Sequence, residues 1–195
     1  MFYAISRFVV GLYYRTFYRV EVIGQKNIPK NGGFIVCSNH MSVKDPMVLG
    51  VFIKRPLSFI GKKEIFKKKF FSLVLKGLHV IPIDRENADM ATFKTVIAQL
   101  KNGAGIGIFA QGTRVKELDL KSAKAGVALF ALKADVPIIP VCISSNYKHF
   151  SKVYVNIGEP FFLNQYKGAK IKTEGLNEIT ETVMLAISKL KIEDL

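Results

Sequence analysis

Acidic residues are scarce: 15 Asp and Glu stand against 29 Lys and Arg, a formal net charge of +14 in 195 residues. That imbalance favours an anionic partner, whether membrane lipid, phosphorylated substrate, acidic protein or nucleic acid. Cysteine is nearly absent. Cys37 and Cys142 both sit in apolar runs without CxxC spacing, so they read as reduced core residues of a cytosolic protein rather than a disulfide framework. No charge-free run near the N-terminus approaches the ~20 residues that span a bilayer, and no signal-peptide cleavage pattern follows it. Repeats, linkers and low-complexity tracts are missing, so one domain with a substantial core is expected. An Arg-rich arm or recognisable nucleic-acid module is missing too, which leaves the charge without its simplest nucleic-acid explanation.

What is present begins with a distinctive N-terminus. In residues 1–19, Phe2, Tyr3, Phe8, Tyr13, Tyr14, Phe17 and Tyr18 are interleaved with Arg7, Arg15 and Arg19. Aromatics favour the headgroup level and Arg can reach phosphates, so this segment reads as a helix lying in one membrane leaflet. Residues 20–195 form the second unit, in which apolar strands alternate with helical segments. Strands are expected at 20–23, 34–37, 57–60, 80–83, 105–110, 138–143 and 152–157. Helices are expected at 46–54, 64–76, 88–101, 123–133 and 174–191. Such alternation predicts an α/β fold: a mixed, mostly parallel sheet covered by helices on both faces.

The stretch Ser38-Asn39-His40-Met41-Ser42-Val43-Lys44-Asp45-Pro46 follows the apolar run Phe34-Ile35-Val36-Cys37. Open α/β proteins place their chemistry in loops outside a strand's carboxyl end. His is the side chain best suited to move protons near neutral pH, and a nearby carboxylate fixes its tautomer. On a continuous helix, five residues rotate by about 140° and rise about 7.5 Å, so His40 and Asp45 would diverge. They can meet only if the backbone turns between them. Asp45 as N-cap with Pro46 at the first helical position supports such a turn. A capping box from Ser42 to Asp45 is the other arrangement; the first is preferred because Pro46 then costs no helical hydrogen bond.

Three further clusters follow expected strands. Ile81 to Arg85 puts an acid and a guanidinium at a strand end, and Phe109-Ala110-Gln111-Gly112-Thr113-Arg114 adds a Gly turn, a hydroxyl and a second guanidinium. Val136 to Val141 is an apolar strand entered through proline. Arg binds phosphate bidentately and a Gly turn exposes backbone N–H groups to anions, so the two loops suggest a phosphorylated substrate.

Taken in order, these segments resemble the glycerolipid acyltransferase superfamily, particularly the bacterial 1-acylglycerol-3-phosphate acyltransferases, over almost the whole chain. Val22 to Pro29 is similar to the family's lead-in, and Asn39-His40 to Asp45-Pro46 to its His-x4-Asp signature. Gly61-Lys62-Lys63-Glu64 resembles the segment ahead of the second motif, and Gly77 to Arg85 that motif itself. Gly112-Thr113-Arg114 resembles the third, Lys124-Ala125-Gly126 the helix after it, and Val136 to Val141 the fourth.

The resemblance implies transfer of a fatty acyl group from acyl-CoA or acyl carrier protein to the hydroxyl of lysophosphatidate, with no metal or other cofactor. His40 would be the base and Asp45 its orienting partner. Arg85 and Arg114, with Gln111, Gly112, Thr113 and Lys63, would form the substrate pocket. It also implies work at the cytoplasmic face of the membrane, as a monotopic or peripheral protein. One position departs from the pattern: the third motif usually reads Phe-Pro-Glu-Gly-Thr-Arg, whereas this chain has Ala110 and Gln111. Gln keeps the size and hydrogen-bonding reach of Glu without its charge, so activity is expected to survive. Another acceptor, such as glycerol-3-phosphate or a lysophospholipid, and a catalytically silent lipid-binding relative are the competing expectations. Lys62, Lys63, Lys67, Lys68 and Lys69 beside Phe66, Phe70 and Phe71 read as a solvated face or a surface for anionic lipid or carrier protein. His79 and His149 lack matching partners and are expected to be structural or exposed.

Overall fold

The computed structural model describes residues 2–67, 69–83, 90–115 and 120–193. Seven strands form one sheet: β1 (Arg19–Ile23), β2 (Phe34–Ser38), β3 (Leu57–Lys62), β4 (Ile81–Ile83), β5 (Gly105–Phe109), β6 (Ile138–Ser144) and β7 (Lys152–Ile157). Their spatial order is β1-β7-β6-β2-β5-β3-β4. Every pairing is parallel except β6 with β7. The helices are α1 (Phe2–Phe17), α2 (Asp45–Phe52), α3 (Lys69–Gly77), α4 (Met90–Lys101), α5 (Gly126–Ala134) and α6 (Thr173–Lys189).

Strand β2 is buried along its whole length because both faces are covered. Ile35 and Cys37 pack with Val96 and Leu100 of α4, Val127 and Ala131 of α5, and Val183, Met184 and Ile187 of α6. Phe34 and Val36 pack on the other side with Tyr14 of α1 and Val48 and Leu49 of α2. This two-sided burial is why the central strands are continuous apolar runs and do not alternate. At the amino-terminal edge, Arg55 donates to the carbonyls of Pro29, Gly32 and Gly103 and stacks over Phe34. The carboxyl-terminal edge is left open to loops.

The mixed, mostly parallel sheet expected from the alternation is present, but several local readings need correction. The helix expected over 64–76 is interrupted: a 3-10 turn spans Lys63–Phe66, and α3 starts only at Lys69. The turn lays Ile65 and Phe66 over Gly61, a packing that residue periodicity cannot distinguish from a helix face. Likewise α5 starts at Gly126, after a 3-10 turn at Leu120–Ser122. At α2, Asp45 is the first helical residue, Lys44 is the N-cap and no side chain caps the helix. The preferred N-cap role for Asp45 fails because its carboxylate is turned back on the preceding loop.

Helix α1 packs its inner face against α2, with Gly11 and Tyr14 buried. Arg7 donates to the carbonyls of Val51, Ile53 and Lys54, acceptors that the end of α2 leaves unfilled. Arg15 lies over the ring of Phe52. Arg7 therefore turns to the protein and not outward to phosphate as expected, while Arg15 stays exposed. The outer face of α1 carries Phe2, Ile5, Phe8, Val9, Leu12 and Phe17, all exposed.

Candidate active site

Ser38 at the end of β2 is in register with Phe109 of β5 on one side and Val141 of β6 on the other. The loops that follow these three strands therefore start next to each other, at the edge where α/β folds bind ligands. Asn39 extends the pairing one residue further. Its Nδ2 donates to the carbonyl of Ile143 at 2.9 Å and its Oδ1 accepts from the Ile143 N–H at 2.8 Å, so the side chain substitutes for a strand residue. That anchor fixes where the next residue, His40, begins.

The His40 ring stacks on Phe109, with centroids 3.9 Å apart and planes 17° from parallel. Its Nδ1 lies 3.0 Å from Asp45 Oδ2. The chain reverses between the two residues: the Asp45 N–H donates to the Ser42 carbonyl and the Lys44 N–H to Ser42 Oγ. This turn brings together two side chains that a straight helix would separate. Asp45 is 1% exposed, and a buried carboxylate is tolerated only when its oxygens are satisfied. Oδ2 also accepts from the N–H groups of Met41 and Ser42, each at 2.7 Å, and Oδ1 accepts from the Tyr147 hydroxyl at 2.6 Å. A position in the first turn of α2 adds the favourable field of a helix N-terminus. With a carboxylate accepting at Nδ1, the proton belongs on that nitrogen, and Nε2 is left as the basic nitrogen of a neutral ring.

The loop after β5 closes against this pair. Gly112 has φ of +69°, a left-handed conformation suited to glycine, and its N–H donates to the Phe109 carbonyl. The Val115 N–H then donates to the His40 carbonyl at 2.9 Å, tying the Gly112-Thr113-Arg114 turn to the His40 loop. Thr113 and Arg114 are exposed. Gln111 is buried, and its Nε2 donates to Ser122 Oγ at 2.8 Å. Lys63 is exposed at the start of the 3-10 turn that follows β3. Arg85 lies outside the described residues.

Several participants escaped the sequence reading. Phe109 and Asn39 were visible as members of motifs but without these contacts. Tyr147 lies 102 residues from Asp45 in the chain, and the signal that could have found it was its place after the polar end of a strand, Ser144-Ser145-Asn146. Lys44 donates to the Tyr18 hydroxyl at 2.7 Å, and its ammonium lies 5.2 and 5.3 Å from the Tyr18 and Tyr147 ring centroids. Burial pushes the Cys37 thiol up to about 12 and raises that of Cys142 as well, so both suit the core and not nucleophilic work. His79 stacks on Tyr3, and His149 on Tyr18. Among the described residues no three His, Cys, Asp or Glu side chains gather as a possible metal set.

The sequence profile of the Acyltransferase family matches residues 19–144. The chain is 33% identical to the 1-acyl-sn-glycerol-3-phosphate acyltransferase of Bacillus subtilis (strain 168) over 178 residues, 88% of either chain. It is 30% identical to the Borreliella burgdorferi protein of the same name over 136 residues, 69% of this chain but only 54% of that one. Among solved structures it resembles the 1-acyl-sn-glycerophosphate (LPA) acyltransferase PlsC of Thermotoga maritima, with a TM-score of 0.71 and 26% identity over 95% of this chain and 79% of that one. A profile match over more than half of the residues, together with a relative a third identical along most of both chains, makes this protein a member of the acyltransferase family.

Proposed function

We propose that the protein transfers a fatty acyl group from a thioester to the free hydroxyl of 1-acyl-sn-glycerol-3-phosphate, giving phosphatidic acid for phospholipid synthesis. The observation that carries this reading is the buried Asp45 holding Nδ1 of His40 at the open edge of the sheet, in a chain of this family. As the acceptor oxygen attacks the thioester carbonyl, His40 Nε2 takes its proton. Collapse of the tetrahedral adduct breaks the carbon–sulfur bond, and the imidazolium returns the proton to the departing thiolate. Asp45 stabilises the imidazolium between these steps, as in the His-Asp half of a serine hydrolase triad. The thioester is already activated, so the chemistry asks for no metal or prosthetic group.

The acyl donor is acyl-CoA or acyl carrier protein. Arg114 and Arg85 bind the acceptor's phosphate, Gly112 and Thr113 shape the pocket around it, and Lys63 adds positive charge from the neighbouring strand end. The test is release of free thiol and formation of phosphatidate when purified protein is given either donor with lysophosphatidate. Glycerol-3-phosphate and a neutral lysophospholipid serve as competing acceptors. No thiol release with any acceptor would leave a lipid-binding relative, and preference for another acceptor would replace the one named.

Gln111 belongs to the pocket in this reading, and its bond to Ser122 supports a role in holding the turn. The Gln111→Glu variant is expected to stay within about threefold of the parent in turnover, because a hydroxyl at Ser122 can donate to a carboxylate as readily as it accepts from an amide. A large gain would mean that the charge, and not the reach, is what the family's usual Glu supplies.

The protein works at the cytoplasmic face of the membrane. Among the described residues no helix is long and apolar enough to cross a bilayer. The exposed apolar face of α1 supports contact with one leaflet, and exposed Lys62, Lys63, Lys67 and Lys69 favour anionic lipid. Phe8 and Leu12, 70% and 57% exposed, lie one turn apart on that face. Changing both to Glu is expected to weaken sedimentation with phosphatidylglycerol vesicles by at least about tenfold, since each buried side chain of this size is worth roughly 1.5–3 kcal/mol. The melting temperature should hold, because neither side chain is in the core. Unchanged vesicle binding would remove α1 from the interface.

A further inference from the structure

We propose that Tyr147 is a positioning residue for the reaction, locking the Asp45 carboxylate so that His40 stays aimed at the acceptor; the proposal rests on the acyltransferase reading above. The His40–Asp45 pair alone does not fix its own geometry. A carboxylate can rotate about its Cβ–Cγ bond, and a carboxylate held by one oxygen only would let Nδ1 follow it. Here the two oxygens are assigned separate work. Oδ2 serves His40 and the N–H groups of Met41 and Ser42, while Oδ1 is held by the Tyr147 hydroxyl at 2.6 Å. Rotation in either direction breaks bonds at both ends.

The surroundings of Tyr147 are arranged to deliver that hydroxyl. The residue has φ of +53°, a region unfavourable to any residue bearing a side chain and found where surrounding structure imposes it. Ser145 Oγ accepts the Tyr147 N–H at 3.0 Å and itself donates to the Lys152 carbonyl at 2.9 Å, so the turn is tied to the start of β7. Tyr18 packs edge-on against the ring, and the Lys44 ammonium faces it. Burial, followed by the charge of Asp45, pushes the phenol well above its ordinary value, so it stays a donor throughout the working pH range. The phenol acts through Asp45: two hydrogen bonds connect it to Nδ1, and the imidazole ring carries the effect to Nε2, the nitrogen that takes the proton.

Tyr147→Phe removes one oxygen and keeps the ring. It is expected to lower kcat about tenfold, with KM for both substrates unchanged, because one charge-assisted hydrogen bond is lost from the machinery and none from substrate binding. The Nδ1–H proton of His40, seen as a downfield resonance that disappears in His40→Gln, is expected to move in Tyr147→Phe. A purely structural tyrosine would instead lower the melting temperature and leave kcat per folded molecule and the resonance where they were. An unchanged kcat overturns the proposal, as does an unmoved resonance. If the parent protein acylates no acceptor, the acyltransferase reading fails, while the resonance alone still decides whether Tyr147 sets the His40–Asp45 geometry.

Discussion

Replacing His40 with alanine is expected to reduce turnover of lysophosphatidate about a thousandfold, the middle of the range for loss of a positioned general base. The acceptor hydroxyl is a poor nucleophile until its proton leaves, and Asp45, 1% exposed with both oxygens already accepting, is poorly placed to take over. Lys44 is a cation already donating to Tyr18, and Tyr147 is kept protonated by burial and by Asp45. The fold should persist. His40 lies on a loop, and its removal leaves Asp45 still bonded to Met41, Ser42 and Tyr147. A thermal melt and single-turnover assay on the same preparation separate the two effects. A variant that keeps even a tenth of the parental rate would show that the proton goes elsewhere.

Asp45 gives the second large effect, and the choice of substitution divides it into parts. In Asp45→Asn, the N–H groups of Met41 and Ser42 require an oxygen at the Oδ2 position. The amide nitrogen must then face Tyr147, whose hydroxyl can accept as well as donate. The oxygen therefore still receives the His40 Nδ1–H, and the tautomer is kept while the charge is lost. Turnover should fall about a hundredfold, with a small change in melting temperature. Asp45→Ala removes the acceptor of four bonds at once and leaves the Met41 and Ser42 N–H groups without it. Destabilisation of about 3 kcal/mol is expected in addition to a loss of activity near that of His40→Ala. Equal melting temperatures for the Asn and Ala variants would mean that the carboxylate does not hold the loop.

Much of the architecture was legible along the chain. The strands at 34–38, 138–144 and 152–157 are apolar or alternating runs bounded by Gly, Pro or polar clusters, and these local signals locate them to within a residue. The Gly103 stop to α4 also followed from local chemistry: φ there is +88°, and the Ala104 N–H bonds back to Gln99. The 3-10 turn at Lys63–Phe66 is not legible, since a turn packed on Gly61 shows the same spacing of apolar residues as a helix. The start of α2 departs from local expectation for a different reason. Asp is a good N-cap in isolation, but here one carboxylate cannot cap its own helix while serving the loop before it.

The sequence by itself determined the chemical types: an imidazole and a carboxylate five positions apart after a buried strand, guanidinium groups near a glycine turn, a surplus of positive charge, and an aromatic amphipathic helix. These are local properties, set by residue identity and spacing. Only the tertiary structure decided which groups meet. The strand order places β5 and β6 on either side of β2, which brings Phe109 under the His40 ring, Asn39 onto Ile143 and Tyr147 onto Asp45. It also turned Arg7 inward to the end of α2 and buried Gln111 against Ser122. Such contacts join residues far apart in the chain, and long-range pairing follows from packing the whole sheet rather than from any window of sequence.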